Sequence, residues 1–173
     1  MRIYFLLILS ISIFSCNSKT ETTKNTPIGF EISNKGEKLF LTAGEMSSVA
    51  IWEKYIDAHN NRNIEDIKSM NADDIKIYGP RGEYIEGSKA HEEFLKVWFS
   101  TNNPKWSPKY YIANDVINTD GNNTEHWVTS SLNLSLIDGD KVLKVVQIHD
   151  ALISDGKVKK FYVYERLKQD NEE

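Results

Sequence analysis

The stretch EHWVTSSLNLSLIDGDKVLKVVQIHDALISDGKVKKFYVYERL, residues 125–167, decides the fold. Apolar and polar residues alternate along it with a period of two. Asp138-Gly139 and Asp155-Gly156 interrupt the alternation as tight hairpin turns do. It reads as three long antiparallel strands, 125–136, 141–153 and 157–167, and a fourth strand-like segment, 110–117, precedes them after breaks at Pro104 and Pro108. Upstream the period lengthens. Val49, Trp52, Ile56 and His59 recur at helical spacing within 45–60, and a short helix over 64–70 starts at the cap Asn63 with Glu65 and Asp66 in its first turn. Segments 74–78 and 83–86 form a hairpin around Gly79-Pro80-Arg81-Gly82, which is a turn rather than a phosphate cradle because no helix begins after it. A third helix starts at Ser88 and carries Phe94, Leu95, Val97 and Trp98 to about Phe99. The class is α+β: three N-terminal helices and about six mostly antiparallel strands.

The chain has 173 residues, a net charge of −4 and 40% hydrophobic residues, enough for one domain with extensions. Its 25 acidic side chains against 21 basic ones, with no basic cluster, exclude a surface built to track nucleic acid. Seven Phe, eight Tyr and four Trp point to a well-filled core or a lined pocket. The four histidines, His59, His91, His126 and His149, have no ligand-pair spacing, and no nucleophile elbow or glycine-rich phosphate loop is present, so neither metal nor cofactor is expected.

The N-terminus has the order of an export signal: Arg2, an apolar run from Tyr4 to Phe14, then Ser15 and Cys16. The run is too short for a transmembrane helix, which needs about 20 residues. Ile13-Phe14-Ser15-Cys16 resembles a bacterial lipobox, which implies cleavage before Cys16 and acylation of that residue; an ordinary secretory signal is the alternative. The expected organisation is a signal peptide over 1–15, a polar tether with a loosely docked segment over 16–43, a folded domain over 44–168 and a charged tail over 169–173. Whether the apolar residues between Ile28 and Leu41 form a strand or dock on the domain is open. Deleting 1–43 is expected to leave a soluble domain. The implied location is the cell envelope, anchored in a membrane, the outer one in preference to the inner in a two-membrane cell.

Trp52-x-x-Tyr55-x-x-Ala58-x-Asn60-x-x-Asn63-x-x-x-Ile67, Met70-x-Ala72-Asp73-Asp74-Ile75, the segment from Gly82 to Gly87 and Asp155-Gly156-Lys157-Val158 together resemble the nuclear transport factor 2-like superfamily, in particular its SnoaL-like branch, over about residues 44–168. The resemblance implies a cone: a strongly curved sheet wrapped around three helices, with a pocket open at one end. It does not fix a function, because isomerases, dehydratases, cyclases, passive binders and dimerisation modules share the fold. Dehydratase-like members place a catalytic aspartate where this chain has Asn60, which cannot accept a proton. Isomerase-like members place a tyrosine on the first helix, where Tyr55 is the candidate.

Taking both turns as two-residue hairpins, Trp127 and Phe161 face Asp150, and Trp127, Thr129, Val146, Ile148, Asp150, Phe161 and Val163 share a sheet face. The opposite face carries Val128, Ser130, Gln147, His149, Tyr162 and Tyr164 and is more polar. Apolar crowding turns the Asp150 face inward. There, desolvation would raise the Asp150 carboxyl above its ordinary value of about 3.9 and suit it to acid–base work; a structural hydrogen bond near the rim is the other reading. The expected lining is Trp52, Tyr55, Asn60, Trp98, Trp127 and Phe161, although such aromatics also build cores. Three functions follow: a lipid-anchored binder of a small, largely apolar molecule, an isomerase or dehydratase using Asp150, or a module that dimerises through the outer face of the sheet.

Overall fold

The protein is described from a computed structural model over residues 26–117 and 123–172. The export signal, Cys16 and the tether up to residue 25 lie outside the described residues. Eight strands and three helices follow one another as β1 (Gly29–Ile32), β2 (Lys38–Ala43), α1 (Met46–Asn60), α2 (Ile64–Met70), β3 (Asn71–Tyr78), β4 (Tyr84–Glu86), α3 (Ser88–Asn102), β5 (Lys105–Ile117), β6 (Thr124–Asp138), β7 (Lys141–Ser154) and β8 (Lys157–Leu167). They form one sheet in the order β1-β2-β5-β6-β7-β8-β3-β4, antiparallel throughout except where β3 runs parallel to β8. The sheet curls around the helices as a cone.

Local chemistry sets the helix boundaries. Arg62, at φ 54°, breaks the chain between α1 and α2. Asn63 then caps α2: its Oδ1 accepts the Asp66 N–H at 3.2 Å, and its Nδ2 donates to the Asp66 carboxylate at 2.6 Å. The inward side of α1 buries Val49, Trp52, Tyr55, Ile56 and His59. These meet Leu95 and Phe99 of α3 and the inner face of the sheet, where Val128, Leu132, Leu134, Val145, Ala151 and Val158 are almost fully buried. Charged tail residues fold back, with Arg166 donating to both carboxylate oxygens of Glu172 at 2.6 and 2.7 Å.

The strand pairing shifts register on β5, on β8 and, between Asn71 and Lys76, on β3. Pro108 pairs with Leu132 and Tyr110 with Ser131, so Lys109 is an extra residue in β5; this strand begins at Lys105 and runs through Pro108, ahead of its expected start at 110. Likewise Leu152 pairs with Lys160 and Ile153 with Val158, so Lys159 is an extra residue in β8, where its ammonium pairs with Asp74 of β3. Asp155 and Gly156, at φ 52° and 74°, make the expected tight turn. The preceding turn is made by Gly139 and Asp140, one position later than Asp138-Gly139, with Asp138 opposite Lys141.

The sequence left residues 28–41 open, and here they extend the sheet. β2 covers the β5 edge by pairing Leu41, Thr42 and Ala43 with Val116, Asp115 and Asn114. Gly44 continues the approach: its N–H donates to the Ala113 carbonyl at 3.0 Å, and a Cβ there would sit 2.8 Å from the Asn114 nitrogen. Leu39 and Thr42 are buried. A chain starting at residue 44 is therefore expected to be about 1–3 kcal/mol less stable than one starting at 26, since it loses that burial and bares an edge. Urea midpoints measure this, and equal midpoints would show that β2 adds nothing.

Candidate functional site

The open end of the cone leads into a cavity of about 180 Å³, somewhat larger than the ~150 Å³ space that can hold a benzene ring in a protein core. Trp52, Tyr55, Ile56 and His59 of α1 form one wall, and His91, Phe94, Leu95 and Trp98 of α3 another. The sheet contributes Trp106, Leu136, Gln147, His149, Phe161 and Val163. Its rim carries Arg81 and Glu83 from the β3–β4 turn, Asp138, and Glu165 near the end of β8. The turn Gly79-Pro80-Arg81-Gly82 is thus part of the mouth.

A polar relay runs from the interior to that rim. Trp106 Nε1 donates to Gln147 Oε1 at 2.9 Å, and Gln147 Nε2 donates to Glu165 at 2.8 Å, which Arg81 approaches at 3.6 Å. Indole N–H can only donate, so it fixes the Gln147 oxygen toward itself. His149 Nε2, 2.9 Å from the same oxygen, must then carry the ring proton. This leaves His149 Nδ1 a buried acceptor without a partner among the described residues. Burial, reinforced by the neighbouring His59, pushes the His149 imidazole down to about 3.

A second cluster lies between α1 and α3. Tyr55 donates its hydroxyl to Asn71 Oδ1 at 2.6 Å, and the Asn71 amide donates to Ser88 and, at 3.3 Å, to His91 Nδ1. His59 Nδ1 lies 2.8 Å from the Tyr55 carbonyl, which can only accept, so Nδ1 bears the proton. Burial lowers His59 to about 4 and His91 well below its ordinary range, and raises the Tyr55 hydroxyl well above its own. Around neutral pH the interior is therefore aromatic, uncharged and furnished with imidazoles as hydrogen-bonding groups.

Trp52, Tyr55, Trp98 and Phe161 meet at this cavity; Asn60, Trp127 and Asp150 are not among its lining residues. Asn60 instead clamps α1 to β5, accepting the Trp106 N–H at 2.8 Å and donating to the Trp106 carbonyl at 3.0 Å. Trp127 lies on the outer face, in a ladder of rings with Tyr162, Tyr78 and Tyr84, and donates to Glu125. Asp150 is also on that outer face, half-buried, and accepts a 2.6 Å hydrogen bond from Thr129.

The expected inward face of β6 and β7 is thereby corrected: Val128, Ser130, Gln147 and His149 point in, and Trp127, Thr129 and Asp150 point out. Ser130 is tolerated inside because it accepts the Trp52 indole N–H at 2.9 Å, and Gln147 because it serves three partners. Phe161 does point inward, but opposite Ala151 and not Asp150, because the Lys159 bulge shifts β8 by one residue. Accordingly, Asp150→Asn is expected to leave ligand affinity and its pH dependence unchanged; a tenfold loss by calorimetry would return this carboxylate to the site. Sequence reasoning missed His91, Gln147, His149, Arg81 and Glu165. For His59 a signal existed, since it falls seven residues after Trp52 and four after Tyr55 on the same helical stripe.

Neither a protein family model nor a curated protein matches the chain. Solved structures do. The LEH-like epoxide hydrolase of M. tuberculosis is 14% identical, covers 70% of this chain and 84% of its own, and superposes with a TM-score of 0.57. A protein classed as a SnoaL-like polyketide cyclase, from Jannaschia, is 11% identical over 70% of this chain and 86% of its own, with a TM-score of 0.55. An NTF2-like protein from Burkholderia xenovorans is 12% identical over 70% and 90%, at 0.54. The chain has the nuclear transport factor 2-like fold. At these identities the likeness is one of architecture. Within this nuclear transport factor 2-like cone the helices and the concave side of the sheet enclose the cavity, while the outer face carries Asp150. Among the described residues no group of three or more His, Cys, Asp or Glu side chains could hold a metal ion.

Proposed function

We propose that the protein is a lipid-anchored binder of a small, largely apolar molecule at the cell envelope. The observation that carries this reading is the cavity itself: Trp52, Tyr55, Trp98, Trp106 and Phe161 wall it, its imidazoles are held neutral by burial, and its carboxylates belong to the rim. An apolar wall with a few polar groups suits a neutral organic ligand that gains affinity by leaving water. The isomerase or dehydratase reading needs an acid–base group at the ligand, and Asp150, its candidate, stands on the opposite side of the sheet.

Anchoring rests on the export-signal order and Cys16, which support attachment through acyl chains at a membrane surface, the outer one in preference to the inner in a two-membrane cell. A second reading, dimerisation through the outer sheet face, is favoured by the exposed Tyr110, Ile112 and Tyr164 on that face; a monomer by light scattering at micromolar concentration counts against it. Two experiments test the main proposal. Radiolabelled palmitate is expected in the wild type and not in Cys16→Ser, and equal incorporation removes the anchor. Mass spectrometry of protein purified from its native envelope is expected to find a small apolar compound retained by the wild type and lost in Trp98→Glu. Its retention by both would place it outside the cavity.

A further inference from the structure

His59 of α1 and His91 of α3 face each other across the cavity wall, with ring centroids 5.7 Å apart and planes inclined by 33°. Each ring turns its Nδ1 back into the protein. His59 Nδ1–H is spent on the carbonyl of Tyr55, one turn earlier in its own helix. His91 Nδ1 lies 3.3 Å from the Asn71 amide nitrogen, which can only donate, and 3.4 Å from the Tyr55 hydroxyl, whose proton goes to Asn71 Oδ1; the amide makes Nδ1 an acceptor. A neutral imidazole carries a single ring proton, so the two Nε2 atoms differ: that of His59 is a bare acceptor and that of His91 a donor. The hydrogen bonds of both rings among the described residues run through Nδ1, and both residues line the cavity. Both residues are more than nine-tenths buried, so the space these atoms face is the cavity.

We infer that His59 and His91 are a donor–acceptor pair selecting a ligand whose apolar body bears one hydroxyl group, an alcohol or a phenol, over the corresponding ether, ketone or hydrocarbon. A hydroxyl both donates and accepts, so one oxygen satisfies both rings. An ether or ketone oxygen accepts from His91 but leaves His59 Nε2 unpaired in a desolvated site, and a hydrocarbon leaves both. Trp106 and Phe99 stand edge-on to His59 at 5.9 and 6.0 Å and hold its ring in place. The assignment rests on the pocket reading above and adds the polar group that the ligand presents.

The test uses 1-naphthol, 1-methoxynaphthalene and naphthalene, titrated calorimetrically at pH 7.5 into the protein lacking residues 1–16. The wild type is expected to bind 1-naphthol at least about tenfold more tightly than the other two, and His59→Leu to bring 1-naphthol and 1-methoxynaphthalene to similar affinity, with naphthalene, which leaves the His91 donor unpaired, the weakest. Equal wild-type affinities overturn the pairing while leaving the apolar pocket standing. Absence of saturable binding by any of the three overturns both. Independently of any variant, two-bond ¹H–¹⁵N spectra of the histidine rings are expected to show His59 protonated at Nδ1 and His91 at Nε2. The opposite tautomer at either ring overturns the inference.

Discussion

Trp52→Ala is expected to lower the unfolding free energy by about 3–5 kcal/mol, the cost of removing a large aromatic ring from a packed core. Trp52 is 1% exposed, its indole N–H is bonded to Ser130 at 2.9 Å, and its ring lies against Tyr55, Phe161 and His149 at 5.2, 5.4 and 5.8 Å. The substitution opens a void beneath three elements and leaves Ser130 without its donor. Because small domains hold only about 5–15 kcal/mol in all, the variant is expected to be partly unfolded at 37 °C. Trp127→Ala supplies the control. That side chain lies half-buried on the outer face against Tyr162, so its loss is expected to cost about 1 kcal/mol. Urea denaturation followed by circular dichroism reads both. Similar costs for the two tryptophans would mean that the inward and outward faces of β6 have been assigned the wrong way round.

The second large effect is acid sensitivity. Burial pushes His59 down to about 4 and His149 to about 3 in the folded protein, whereas both titrate near 6.5 when unfolded. Between pH 6.5 and 4 the unfolded chain therefore binds more protons, and stability rises with pH through that window and is flat above it. From pH 6.5 down to 5 neither folded ring takes up its proton, so each costs about 2 kcal/mol and the pair about 4. His91, also lowered by burial, acts in the same direction. Glu172, held down to about 2 by Arg166, is partly exposed, and its contribution is lost only below the unfolded carboxylate value of about 4.3, at the foot of this window. Urea midpoints at intervals from pH 7.5 to 4.5 check the sign and the range. A profile flat to pH 5 would show that these rings are hydrated or already charged in the folded state.

These effects converge because the same side chains build the core and the cavity. Trp52, Tyr55, His59 and His149 belong to one aromatic cluster, so a binding defect from substituting any of them has to be separated from a stability defect. His59→Leu, which keeps an apolar group in the place of the ring, is less disruptive than truncation to alanine for that reason.

Much of the architecture was legible from short-range chemistry. The period-two alternation over 125–167 marked β6, β7 and β8, and the Asp155-Gly156 turn was fixed by its need for two residues at positive φ. Asn63 announced α2 through its cap, and the Val49, Trp52, Ile56 and His59 stripe announced the buried side of α1. Those signals are local: they depend on residues one turn or one hairpin apart, so the amino-acid order contains them in full. The inward direction of the sheet is not local. Apolar count turned Asp150 inward, yet Ser130, Gln147 and His149 occupy the interior: partners from α1, β5 and β8 bond Ser130 and Gln147 there, and Gln147 in turn bonds His149. One extra residue, Lys159, then separates Phe161 from Asp150 by reversing which residues of β8 point inward. The sequence by itself thus determined the three helices, the strands from β3 to β8 and their order, and its family resemblance implied the cone, while β1 and β2 were left open. Only the tertiary structure decided which face is concave and which histidines meet, since the first depends on hydrogen bonds between distant residues such as Trp52 and Ser130, 78 positions apart, and the second on how α1 and α3 sit against each other.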